Sequence, residues 1–215
     1  MRATMAKADA LDELVDSLPA TSIGRTFNQY RDTCVDDAEP TSAPRTRLEN
    51  LRTYLHARAA AGVVIVPEAA GYRGARHSGI PLLSERLIDE SRDPWRRTST
   101  HSNGWAEPSA SIVRGLLREG GWEEATLIWN VIPTHPQGAT PHSNRPPLRG
   151  EEAAGRDILL RLLDILRPRH IVALGRTAQA ALPAELHATP VRHPAQSGAT
   201  LCRAQLGEAL SEWLR

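Results

Sequence analysis

Cysteine is nearly missing from this chain. Cys34 and Cys202 are the only two in 215 residues, too few for a thiolate zinc or iron–sulfur site and without metal-ligand spacing. With so few thiols, a reducing compartment is the natural setting. Lysine is reduced to Lys7, so nearly all of the 26 basic residues are arginine. The plain reading of an Arg- and Ala-rich chain is a GC-rich genome; the functional one is that guanidinium forks suit phosphate. An excess of charge of one sign is also missing. The 26 basic and 25 acidic residues leave a net +1, so no global field announces a nucleic-acid or membrane partner. Long apolar runs are absent, none approaching the roughly 18 residues of a membrane span. The opening MRATMAKADALDELVDSL is interrupted by acids and lacks the apolar core of a secretory signal. No membrane partner and a cytoplasmic location are expected.

What remains is an ordinary globular composition, 40% hydrophobic and 24% charged. The chain is organised around residues 62–84, GVVIVPEAAGYRGARHSGIPLLS. Its Val/Ile run at 63–66 reads as a strand buried on both faces, ending in a turn rich in small residues. Further strands are expected at 125–132 (ATLIWNVI), 169–174 (RHIVAL) and, more weakly, 188–192. Between them lie helical patterns at Leu48–Ala60, Leu83–Glu90, Pro108–Glu119, Leu148–Leu166, 176–182 and 201–214. Residues 8–18 repeat apolar positions at helical spacing until Pro19 stops them. Alternating strands and helices with short connections predict an α/β fold: a three-layer α/β/α sandwich around a four-stranded parallel sheet. The expected organisation is an N-terminal helix and extended arm over residues 1–45, then the α/β domain over 46–215.

In open parallel sheets, ligands bind beyond the carboxyl ends of the strands. Three strand ends carry polar groups to that edge: Glu68, Asn130 and His193. Each has a bland reading, namely a solvated loop acid, a buried structural amide and a packed histidine. Their convergence is the informative feature. Asn130 sits in an apolar strand, where its amide needs partners for two donors and two lone pairs. It is either part of a structural network or a ligand reader. The glycines at 71, 74 and 79 make neither GxGxxG nor a P-loop, and no GxSxG elbow is present. His135 and His142 are too irregularly placed for a metal site. The tryptophans and arginines of 91–107 either flank a ligand or pack on the domain.

The segments PEAAG (67–71), SGIPLLSE (78–85), LIWNVIPTHP (127–136), IVALGRTAQAAL (171–182) and RHPAQSGA (192–199) together resemble the uracil-DNA glycosylase superfamily. The closest pattern is a bacterial branch with a GEAPG-like first motif and an RHP last motif, without the iron–sulfur cysteines. The resemblance spans about Phe27 to the C-terminus. It implies an enzyme without metal or cofactor, probing DNA, flipping a nucleotide and hydrolysing its base–sugar bond. It assigns base reading to Asn130, with a hydrogen bond from His193 to the developing oxyanion. Ala69, Gly71, Tyr72 and Leu82 would line the base pocket. The loop Pro194–Thr200, with Gln196, Ser197 and Gly198, would enter the minor groove, and Ser84 and Ser197 would contact phosphates. The protein would act as a monomer.

The departures are equally specific. The water-activating aspartate of familiar members aligns with Ala69, leaving Glu68 as the nearest carboxylate. The Gly and Pro of GEAPG are Pro67 and Ala70. The stacking aromatic is Leu82, and Gly71 lies near a tyrosine that blocks groups on C5. The expected activity is therefore a monofunctional DNA glycosylase for uracil or another modified pyrimidine. A bulky modified cytosine of phage DNA, and hence a defence role, is within its range. The alternatives are a catalytically weak or inactive DNA-binding member of the same fold and, more remotely, a nucleotide-binding α/β enzyme.

Overall fold

Four consecutive β-branched residues, Val63–Val66, form β1, and every one is buried. A strand covered on both faces needs hydrogen-bond partners on both edges. β2 (Thr126–Ile128) supplies one side and β3 (His170–Leu174) the other, both parallel to β1. β4 (Thr189–Val191) adds parallel to β3, giving the order β2-β1-β3-β4. The chain is thus an α/β fold with a four-stranded, all-parallel sheet flanked by helices. The structure, a computed structural model, describes residues 2–214, with side chains from residue 5 onward.

The helices are α1 (Arg2–Ser17), α2 (Ala43–Ala57), α3 (Ala75–Ser78), α4 (Glu85–Glu90), α5 (Pro108–Glu119), α6 (Arg149–Leu166), α7 (Arg176–Ala181) and α8 (Ala199–Trp213). Parallel neighbours joined by right-handed crossovers put α5 on one face of the sheet and α6 and α7 on the other. Accordingly α5 packs with α8, while α6 packs with α1 and α7. Leu159, Leu162, Leu163 and Leu166 form the buried stripe of α6, at the helical spacing seen in the sequence. Tyr54 of α2 closes the β2 edge, its hydroxyl accepting the Ile128 N–H at 2.7 Å. Among the described residues no helix is long and apolar enough to cross a membrane.

The second strand is shorter than the apolar run 125–132 predicts. Regular pairing stops at Ile128, yet Trp129, Val131 and Ile132 still donate their N–H groups to Ile65, Pro67 and Glu68. Pro67 has no N–H to return, so the ladder is interrupted there and resumes as an isolated parallel bridge between Ala69 and Ile132. The short helix α3 inside the Gly-rich turn was also not predicted. Residues 21–45, expected as an arm over the surface, contain isolated bridges and, from Ala43, the first turn of α2, but no other regular element. They are nonetheless anchored: Asn28, Gln29 and Tyr30 are buried, and the Tyr30 hydroxyl donates to Gly79 O at 2.8 Å.

One carboxylate ties three segments together. Glu151, in the first turn of α6 and 1% exposed, accepts both guanidinium nitrogens of Arg145 at 2.7 Å. It also accepts the Leu148 N–H at 2.9 Å and the Arg25 N–H at 3.0 Å. Hydrogen bonding from Arg145 outweighs burial and holds the carboxyl down to about 2, from an ordinary 4.5. The loop carrying Asn144 and Arg145 is thereby fixed to the domain. A depressed carboxylate stabilises the fold above its unfolded pKa and loses that contribution as pH falls through the folded value. Glu151→Gln should therefore cost on the order of 3 kcal/mol at pH 7. In urea titrations the gap to wild type should narrow between pH 4.5 and about 2. A gap that stays constant across that range would contradict this anchor.

Candidate active site

At the carboxyl edge of the sheet the loops enclose a cavity of about 650 Å³. Its walls are the turn Pro67–Gly71 after β1, Leu82, Glu107 and Ser109 at the start of α5, and the 144–146 loop. The segment from Leu174 to Thr177 and the loop after β4 complete it. Of the residues expected from sequence, Glu68, Ala69, Gly71, Leu82, His193 and Gln196 line this one cavity.

Glu68 and His193 follow the ends of β1 and β4 and line the same cavity, near enough for the carboxylate to bear on the imidazole. Thr177, on the first turn of α7, donates its hydroxyl to Glu68 Oε2 at 2.5 Å and orients the carboxylate. Gly175, with φ +92°, lets the chain after β4 approach: a Cβ there would lie 3.1 Å from His193 Cβ. The Ala195 N–H donates to His193 Nδ1 at 3.1 Å. A nitrogen that accepts carries no proton, so the neutral ring is protonated on Nε2. Burial lowers the pKa of His193 below its ordinary 6.5, Arg192 adds to this, and Glu68 opposes it. The site thus pairs a neutral imidazole donor with a fixed carboxylate.

Leu82 holds its place in the wall with a backbone that side chains rarely adopt, φ +45°. Arg114 pins it by donating to the Leu82 and Pro81 carbonyls, both at 3.0 Å. Gln196 and Ser197 are also left-handed, at φ +53° and +61°, and both are exposed. Two such non-glycine residues in a row cost of order 1–3 kcal/mol each. Pro194 is buried beneath this tip, and Gly198 closes it, since a Cβ there would collide with His193 O.

Three expected residues lie elsewhere. Asn130 is buried and not part of the cavity lining, with no partner for Oδ1 among the described residues. Ser84 is 1% exposed, its hydroxyl covered and unpartnered at the start of α4, so it offers no direct surface contact. Tyr72 packs edge-on against Trp105 at 5.9 Å, its N–H donating to Asn144 Oδ1 at 3.0 Å. Of the two loop tryptophans, Trp95 is buried against Tyr54, and Trp105 stacks on His77 at 5.4 Å.

Two residues of the cavity were not foreseen. The strand-end rule, applied to β3 as it was to the other three, points to Thr177. Glu107 had no signal of its own, because a carboxyl before Pro108 reads as a helix cap; its side chain makes no capping bond. Burial raises its pKa from 4.5 to about 7, only partly opposed by Arg114.

One cluster outside the cavity has metal-binding residue types. Ligand atoms of Cys34, Asp37 and His77 lie within 4.8 Å of one another. They suit a cation poorly. Asp37 is paired with buried Arg47 and accepts Cys34 Sγ at 3.1 Å. Burial, then Arg47 and Arg76, hold His77 down to about 2.

A parallel α/β sheet with an imidazole and a carboxylate at its carboxyl edge defines the class of protein. In fold the chain is similar to the crystal structure of wild-type SMUG2 from Pedobacter heparinus. The TM-score is 0.62 over 94% of this chain and 97% of that one, at 12% identity. No curated protein sequence matches the chain. The family model described as the uracil DNA glycosylase superfamily matches residues 56–208. The chain belongs to that superfamily.

The tautomer of His193 can be read directly. Nitrogen-15 NMR at pH 7 should show a neutral ring protonated on Nε2, titrating below 6.5. A ring protonated on Nδ1, or already charged at pH 7, would contradict the geometry.

Proposed function

We propose that the chain is a monofunctional DNA glycosylase hydrolysing the N-glycosidic bond of a flipped-out uracil or other modified pyrimidine. The observation that carries this reading is the neutral His193 donor beside the Thr177-held Glu68 carboxylate in one base-sized cavity. Cleavage breaks the C1′–N1 bond, and its electron pair leaves with the base. Positive charge then develops on the sugar and negative charge on the base O2. His193 Nε2–H hydrogen-bonds that oxygen, and Glu68 stabilises the sugar cation or orients the water whose oxygen bonds to C1′. The water's proton ends on the departing base, leaving an abasic site.

Asn130 is the proposed reader of the base edge. Its Oδ1 is buried outside the cavity lining, without a partner among the described residues, and would meet the base only once the flipped nucleotide displaces what covers it. The exposed tip at Gln196–Ser197 is the proposed minor-groove element, its strained backbone held ready rather than formed on binding. With Gly71 and Leu82 in the wall, where rings would narrow it, the cavity leaves room for a base larger than uracil. A bulky modified cytosine of phage DNA fits that reading, with defence as the role. The second reading, a DNA-binding member without catalysis, is favoured by Ala69 at the position of the water-activating aspartate.

Base release from matched single- and double-stranded oligonucleotides separates the readings. The panel contains uracil, hypoxanthine, hydroxymethylcytosine and its glucosylated form. Alkali cleavage at one modified position is expected, falling about 10²–10³-fold in His193→Ala and by about 10²-fold or more in Glu68→Gln. DNA binding without cleavage at any base would make the binding-protein reading the correct one.

A further inference from the structure

Leu82 stands where a chain normally places glycine. Pro81 and Leu82 are the middle pair of a turn closed by the Leu83 N–H, which donates to Ile80 O at 3.2 Å. Proline suits the first of these places, but a positive φ at the second favours glycine, and Leu82 holds φ +45° there. Glycine would relieve the strain and leave no side chain in the cavity wall, which Leu82 lines. The two middle carbonyls are met from α5 by Arg114, whose Nε donates to Leu82 O and Nη2 to Pro81 O, both at 3.0 Å. Arg114 is 6% exposed, and its guanidinium hydrogen-bonds nothing else among the described residues. It lies over the Tyr54 ring, 5.2 Å from the centroid, and Tyr54 is itself bonded to β2 through the Ile128 N–H. A buried cation that no carboxylate hydrogen-bonds is costly. Here it ties a strained turn to the edge of the sheet.

We propose that Arg114 is a specificity-determining positioning residue: by fixing the Pro81 and Leu82 carbonyls it holds the Leu82 side chain as a rigid wall, against which ill-fitting bases are rejected. This rests on the glycosylase reading and adds a residue that reading does not use. Arg114 does not line the cavity and acts only through Leu82. An apolar wall discriminates by fit, and a misfit of one methylene is worth about tenfold or more. That discrimination survives only if the wall cannot yield. A turn freed from Arg114 would swing and absorb the misfit.

The test compares kcat/KM for the best-released base with that for the next-best, in oligonucleotides carrying uracil, 5-methylcytosine, 5-hydroxymethylcytosine and hypoxanthine. Both values come from one preparation, so partial unfolding of a variant cancels in their ratio, and a purely structural role would leave the ratio alone. Arg114→Met should lower it about tenfold. Leu82→Gly, whose backbone suits the turn, should lower it by a similar factor. In the double variant the ratio should be that of Leu82→Gly alone, because without the wall Arg114 has nothing to hold. Should Arg114→Met fail to fold, Arg114→Lys, which keeps the charge but not the fork, should lower the ratio by a smaller factor. A ratio unmoved by Leu82→Gly, or unmoved by the folded Arg114 variant, overturns this inference alone. So do reductions that multiply in the double variant. No release of any base overturns the glycosylase reading and this inference with it.

Discussion

The continuation of backbone pairing past the end of β1 is the constraint on which the site depends. Where Pro67 ends the regular strand, Val131 and Ile132 go on donating to the carbonyls of Pro67 and Glu68, at 2.8 and 2.9 Å. Backbone hydrogen bonds in a buried sheet are costly to leave unmade, so they fix the turn as firmly as the strand. Glu68 therefore leaves a rigid base, and a single bond from Thr177 suffices to aim its carboxylate. On the far side of β3, Gly175 allows the chain after β4 to come close enough for His193 to face the same space. That Glu68 and His193 share one cavity is a consequence of strand order: β1 and β4 flank β3, and both end at one edge.

Around that edge the protein treats similar groups differently. Glu68 is bonded and shares the cavity with an imidazole that burial keeps neutral. Glu107 is unbonded, and burial shifts it toward the neutral acid. Glu151, a short distance along the chain from Arg145, is driven the other way by two guanidinium hydrogen bonds and serves only to hold the loop. Glu107 and Glu151 thus have opposite protonation tendencies, each set by its surroundings. Pairs of titratable groups pushed apart by their surroundings are the usual basis of divided roles in a site.

The fold was legible because β1 and β3 are unbroken apolar runs, α6 has a clean helical stripe, and turn residues bound each of them. Such patterns depend on burial alone, and burial is what a sheet between two helix layers requires. Strand ends also pointed to Glu68 and His193, which do line one cavity, because parallel topology fixes which edge the loops open on. Ser84 shows what a sequence leaves open: its hydroxyl is polar, and tertiary packing alone decides that it is covered. Trp95 was ambiguous because an aromatic loop has no period from which to read its facing. Glu107 was illegible because the room for its carboxyl depends on two glycines over thirty residues earlier, a pairing that only the folded chain creates.

The central claim is that His193 and Glu68 face the reacting bond of a flipped nucleotide. The most direct measurement is a crystal structure with duplex DNA carrying a 2′-fluoro analogue of the released nucleotide, which binds without being cleaved. The account predicts the base within the cavity, its O2 within hydrogen-bonding distance of His193 Nε2 and the C1′ facing Glu68. A base that stays stacked in the duplex, or that enters the cavity with O2 turned away from His193, would contradict it.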